Sequence, residues 1–373
     1  MTEKAATDSS VRAPSSMRLE PLRQVDAGVL NIGYYEAGPA DGPAGVMVRG
    51  LPLHNPSSFH GPPPPFAQGC RVIVPYLRGY GPTRFRDAKT PRSGEQAAIG
   101  ADMMALMDAL GIERAVFAGY DWGGRAACVG AALWPERCIG LVCGNAYLIQ
   151  DIANAMVPMR PERELPLWYQ YYFQLERGRA GLAANRREIA KILWKQWSPS
   201  WAFDDACFER TAVAYDNPDY VDVAIHSYRH RFGLAESDPH YADIQRRLAA
   251  LPVITVPSIT MDGADDGVIA PNDGAASASK FAAHRAHRMI PRAGYNLPQE
   301  APGGVCDGSD GARSRISRLC RMGKLHRKRS SSLHRKADQA PARPDRAGGA
   351  GEAVVIVQFR TAAGRTGHAL ASV

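Results

Sequence analysis

The chain has 373 residues, 45% of them hydrophobic, which is enough to fill one large α/β core with additional segments. Its formal net charge of +8 is unevenly placed: residues 304–373 carry 14 Lys and Arg against 5 Asp and Glu, leaving 31 basic against 32 acidic side chains in the first 303. A near-neutral body excludes a fold built around a polyanion, and seven cysteines without a CxxC spacing argue against a disulfide framework or a structural zinc site.

Residues 1–17 contain no apolar stretch of signal-peptide type, and no apolar run approaches membrane-spanning length, so a disordered N-terminus and a cytoplasmic location are expected. Strand-like runs follow at 28–36 and 45–49, and CRVIVPYLRGYG (70–81) is a β-branched run ending in a glycine turn. Residues 94–111 repeat Ile99, Met103, Leu106, Met107 and Leu110 at helical spacing. RAVFAGYD (114–121) reads as a buried strand, WGGRAACVGAALWP (122–135) as a small-residue helix stopped by Pro135, and CIGLVCGNA (138–146) as a further strand. Strand alternating with helix predicts a mostly parallel, doubly wound sheet.

The alternation stops at 147. From 147 to 250 the pattern is helical and aromatic, and strand character returns at 257–262 and 287–296 with a helical stretch at 273–283 between. The domain reading is therefore a core of 18–146 and 251–303 interrupted by a helical cap at 147–250. The mixture of Arg, Ser, Gly and Pro in 304–373 has neither period and is expected to be disordered. The tail lacks aromatic interleaving, so no specific nucleic-acid binding is expected.

Chemistry concentrates at GYDWGG (119–124). A strand that passes through G-x-D-x-G-G into a helix is a nucleophile-elbow arrangement with a carboxylate, Asp121, at its centre. Gly119 and Gly123 flank it, where a sharp turn leaves no room for side chains. A carboxylate is ionised at neutral pH without a base and suits displacement at an sp³ carbon, which leaves an alkyl ester that water must then cleave. The plain alternative is a helix N-cap, a position aspartate favours.

Taken with VIVPYLRGYG, WYQYYF, DGADDGV and GYNLPQEAP in this order, GYDWGG resembles the epoxide hydrolase branch of the α/β-hydrolase fold, over about three quarters of the chain. DWGG is shared with the haloalkane dehalogenases. The resemblance implies an epoxide opened to a diol, with Asp121 as nucleophile, Tyr169 and Tyr228 as cap acids, and Asp266 as the triad acid beside its competitor Asp265. It also implies an oxyanion hole from the backbone N–H groups of Trp122 and Leu51, the latter in Arg49-Gly50-Leu51-Pro52 where the family writes His-Gly-aromatic-Pro. A small apolar epoxide-like substrate follows, and no cofactor or metal. As bare sequence, the aromatic cluster reads as core packing and Asp265-Asp266 as turn aspartates.

Three departures stand out. The family reads Gly-His-Asn where this chain has Gly294-Tyr295-Asn296, so the base for ester cleavage is expected to be missing and activity low or lost. Residues 53–69 contain four consecutive prolines (62–65) where a helix is expected, and the basic tail replaces a final helix; both segments read like out-of-frame translation. Substitute bases are poor: His284 and His287 are placed at the N-terminal end of the last strand, away from a site at the carboxyl ends, and only His54 lies nearer in topology. Two further readings remain. A dehalogenase would use Trp122 as one halide donor with no second identifiable, and a non-catalytic ligand-binding protein would keep the pocket alone.

Overall fold

The computed structural model describes residues 21–48, 70–283 and 285–301, and the backbone of 357–360 and 366–369. It divides into two units, Met1–His326 and Arg327–Val373. In the second, β10 (Val357–Arg360) and β11 (Thr366–Ala369) form an antiparallel pair. The rest of the 304–373 tail lies outside the described residues, as does the proline-rich 53–69.

The first unit is built on one sheet in the order β1-β2-β4-β3-β6-β7-β8-β9. The strands are β1 (Arg23–Ala27), β2 (Leu30–Ala37), β3 (Ala44–Val48), β4 (Arg71–Pro75), β6 (Ala115–Gly119), β7 (Cys138–Gly144), β8 (Ser258–Gly263) and β9 (Arg285–Ile290), with a short β5 (Arg84–Phe85) on β2. All pairings from β4 to β9 are parallel, and only those of β2 are antiparallel. The central strands are covered on both faces: β8 is buried along its whole length, and β3 is apolar throughout. Helices α1 (Gln96–Ala109) and α2 (Asp121–Leu133) pack on each other. Their approach is close: a Cβ on Gly100 would lie 2.3 Å from Val129.

Between β7 and β8 the chain is helical, with α3 (Pro161–Glu164), α4 (Trp168–Tyr172), α5 (Glu176–Ala184), α6 (Arg186–Trp197), α7 (Asp205–Ala212), α8 (Tyr220–Arg231) and α9 (Ala242–Ala249). Its aromatic residues join the main core cluster, including Trp194, Trp197, Tyr215 and Phe208. A short helix α10 (Leu297–Glu300) follows β9.

Three elements depart from expectation. β1 is an additional strand, hidden in the sequence because only Ala27 of it is fully buried. The helical stretch at 273–283 is a 3₁₀ turn, Ala275–Lys280, whose small and polar side chains have no apolar face to bury and so cannot stabilise a longer helix. The last strand runs Arg285–Ile290 rather than 287–296, which puts His287 in mid-strand rather than at its N-terminal end. Its ring nitrogens lie 3.0 Å from Thr260 Oγ1 and 3.1 Å from the Asn272 carbonyl, so it is already engaged.

One buried ion pair ties the body together. Arg78, fully buried after β4, donates from Nε and Nη2 to the two oxygens of Asp102 on α1, each at 2.7 Å. It also donates to the Ser93 carbonyl at 2.8 Å and to the Tyr241 hydroxyl at 2.9 Å, reaching the segment that leads into α9. Asp102→Asn leaves that guanidinium buried without a counter-charge and is expected to cost about 3–5 kcal/mol in urea denaturation.

Candidate functional site

β6 delivers the chain to the elbow. After Gly119, Tyr120 is extended at φ −145°, and Asp121 sits at φ +50°, in the left-handed region that a side chain occupies only under strain. A Cβ on Gly119 would lie 2.5 Å from the Gly123 backbone and 2.6 Å from the Val48 carbonyl oxygen, so the turn requires glycine there. The N-cap position of α2 belongs to Tyr120, and Asp121 is the first helical residue.

Asp121 is buried, and its Oδ1 accepts a 2.7 Å hydrogen bond from the hydroxyl of Tyr295. Its Oδ2 has no partner among the described residues. Burial pushes its pKa up; the Arg125 charge and the Tyr295 bond oppose that shift. Tyr295 lies in the loop between β9 and α10, its N–H bonded to the Trp197 carbonyl at 3.1 Å and its ring edge-on to Trp197 at 5.1 Å. Burial, and then the Asp121 charge, hold the phenol well above its usual range. It is therefore a proton donor at neutral pH.

Asp266 follows β8 and is also buried. Its Oδ1 accepts from the N–H groups of Val268 and Ile269 at 2.7 and 2.8 Å, which is the work of a turn aspartate. Its Oδ2 is buried with no partner among the described residues. Burial pushes the carboxyl up to about 7, opposed by the two backbone bonds and aided by the charges of Asp262 and Glu300. An acid raised in the folded state makes stability greatest below its unfolded pKa of about 4, and that stability falls by about 1.4 kcal/mol per pH unit as pH climbs toward 7. Asp266→Asn keeps an acceptor for the two N–H groups and removes the charge. Urea titrations should therefore find it more stable than the parent at pH 8, with the difference shrinking at pH 5.

The helical insertion closes over these groups. Tyr169 on α4 and Tyr228 on α8 meet edge to face at 5.4 Å; Tyr228 lies 6.0 Å from Trp122, and Tyr169 lies 5.4 Å from Trp197. The Tyr169 hydroxyl accepts from Gln170 Nε2 at 3.2 Å, and burial pushes its pKa up to about 12. Burial holds Tyr228 well above the usual range too. Both are protonated donors at neutral pH. The indole Nε1 atoms of Trp122 and Trp197 are buried, and neither has a partner among the described residues.

With that geometry in view, a family model described as alpha/beta hydrolase fold matches residues 46–296, about two thirds of the chain. The chain belongs to the α/β-hydrolase fold family. Over a wider span it superposes with TM-score 0.73 and 43% identity on a provisionally assigned epoxide hydrolase from Klebsiella pneumoniae, covering 81% of this chain and 98% of that one. Epoxide hydrolase B of Mycobacterium tuberculosis is 35% identical over 151 residues, 37% of this chain and 41% of that protein. Bifunctional epoxide hydrolase 2 of Mus musculus is 33% identical over 138 residues, 36% of this chain and 24% of that protein. The matches thus span less than half of these curated relatives. A haloalkane dehalogenase from Bradyrhizobium elkanii shares the fold at TM-score 0.63 and 18% identity.

Within this epoxide hydrolase-like α/β hydrolase, the residues singled out from sequence and described in the structure gather at one place: Asp121, Trp122, Tyr169, Tyr228 and Tyr295 share an aromatic cluster, with Asp266 on the neighbouring loop. Leu51, His54 and His284 lie outside the described residues. Sequence reading missed Arg125 and Trp197. Arg125 had a signal, since four positions after Asp121 on α2 is the same helix face. Trp197 had none, because only the folding of α6 against the β9–α10 loop brings it to Tyr295.

Proposed function

We propose that the protein acts on a small apolar epoxide by the aspartyl-ester route and is stalled after the first step. Asp121 attacks a ring carbon, the carbon–oxygen bond breaks, and the departing oxygen takes a proton from Tyr169 or Tyr228. The product is a hydroxyalkyl ester of Asp121. Cleaving it requires a base to take a proton from water, with the N–H groups of Trp122 and Leu51 holding the oxyanion. Tyr295 occupies the place where the family carries histidine, and a phenol held above its ordinary pKa cannot take that proton. The observation that carries the reading is the pairing of Tyr295 with Asp121 at 2.7 Å while Oδ2 of Asp266 is left without a partner among the described residues. We place the protein in the cytoplasm, with no cofactor or metal in its reaction.

The test is intact-protein mass spectrometry after incubation with styrene oxide. The expected result is a persistent adduct of one epoxide mass with little diol. Tyr169→Phe should slow adduct formation by about 10²-fold as a general acid is removed. Absence of both adduct and diol would overturn the reading in favour of a ligand-binding protein without turnover.

A second reading has its own support. The indole N–H groups of Trp122 and Trp197, unpartnered among the described residues, are two donors of the type that would hold a leaving halide. Under that reading a chloroalkane releases chloride, and Tyr169→Phe leaves the release unchanged.

A further inference from the structure

Beside the Asp121 cluster lies a cavity of about 680 Å³, bounded by α2, the segment after β7 and the insertion helices α4 and α8. Its deep end carries two guanidiniums, Arg125 and Arg231, with the amide side chains of Gln150 and Gln170. Its mouth is apolar: Met156 is 70% exposed, Val157 67% and Leu234 48%. None of Asp121, Tyr169, Tyr228 or Tyr295 lines it.

The two arginines form no ion pair among the described residues. Among the described residues neither lies within 4.0 Å of a carboxylate. Arg125 is more than nine-tenths buried and donates only from Nε, to the Leu148 carbonyl at 3.3 Å, so its two terminal amino groups have no protein acceptor among the described residues. Arg231 is held by neutral amides. Nη1 donates to Gln170 Oε1 at 3.0 Å, and with the Gln150 amide oxygen turned toward it, Nε and Nη2 donate there at 2.7 and 3.3 Å. Burial, and then the Arg231 charge, push the Arg125 pKa down, and the Asp121 charge opposes that shift. Asp151 and Glu164 also line the cavity, but each is already engaged. Asp151 accepts from the Asn154 amide at 2.7 Å and Glu164 accepts from the Met159 N–H at 2.7 Å.

A buried guanidinium, Arg125, beside a half-buried one, Arg231, neither paired with a carboxylate among the described residues, at the end of an apolar-mouthed cavity, makes a site that an anion would complete. We propose that this cavity binds an amphiphilic monocarboxylate, its head on Arg125 and Arg231 and its alkyl body against the apolar walls. A neutral chain of the same length gains the apolar contact but leaves the cations as they were. A dianionic or phosphate headgroup without a tail gains charge pairing but leaves Met156, Val157 and Leu234 in water. The site adjoins the Asp121 cluster, since the Arg125 and Arg231 charges act on Asp121, and its occupancy is read by binding alone.

The experiment is isothermal titration calorimetry of the full chain with decanoate and with decanol. Decanoate should bind at one site, about 10-fold or more tighter than decanol, as expected for hydrogen bonds to a charged head. Arg231→Met should weaken decanoate by about 10-fold and leave decanol within about 2-fold, while Arg231→Lys should retain part of the preference. Equal affinity for the two ligands overturns the proposal, as does a decanoate affinity untouched by Arg231→Met in a variant whose circular dichroism matches the parent. Should that variant fail to fold, the decanoate-to-decanol ratio on the unaltered chain decides.

Discussion

Tyr295→His is expected to raise diol formation from styrene oxide by about 10²–10⁴-fold, the span general-base catalysis commonly supplies. The surroundings are already arranged for an imidazole. Asp266 presents a buried Oδ2 with no hydrogen-bond partner among the described residues, and its charge acts on the side chain at 295. A ring N–H pointed at that oxygen would fix the tautomer, leaving the other nitrogen free to take a proton from water near Asp121. Pairing with a carboxylate raises an imidazole pKa, so diol formation in the variant should rise with pH through the neutral range as the ring deprotonates. The same pairing supplies the stabilising charge that Asp266 now lacks, and its own pKa should drop from about 7. Stopped-time mass spectra provide the check: the adduct should form and then decay in the variant while persisting in the parent. An adduct that persists in both would place the defect in the oxyanion loop rather than at residue 295.

Asp121→Asn should abolish adduct formation entirely while leaving the fold at least as stable as the parent. The carboxylate is buried, one of its oxygens has no partner among the described residues, and burial raises its pKa. An amide keeps an oxygen for the Tyr295 hydroxyl and loses the charge that burial penalises. It also loses the nucleophile. Loss of the adduct together with a higher denaturation midpoint would mean that the charge is kept for chemistry at a cost in stability. Equal labelling of parent and variant would remove Asp121 from the reaction. A large fall in stability would instead make the residue structural.

Much of this molecule could be read along the chain because the relevant forces are local or periodic. The alternation of strand and helix through residue 146 identifies a parallel sheet, since such strands, covered on both faces, must be nearly continuous in apolar residues. GYDWGG announces its turn because no other side chain than glycine fits at 119 beside the Gly123 backbone. Where burial is weak, periodicity fails: β1 is mostly exposed, and 275–280 offers no apolar face, so a strand was missed and a helix was expected where only a 3₁₀ turn forms.

The partners of the charged groups were not legible in that way. That the hydroxyl of Tyr295 reaches Asp121 across 174 positions, that Asp266 keeps one oxygen without a partner among the described residues, and that Arg125 and Arg231 share a cavity in which neither pairs with a carboxylate among those residues are consequences of how β6, β8, α4 and α8 converge. Residue type and spacing specify which groups a chain owns. Burial and distance, which exist only once the sheet and the helical insertion have packed, set which of those groups hold a proton, which hold each other, and which are left waiting for a ligand.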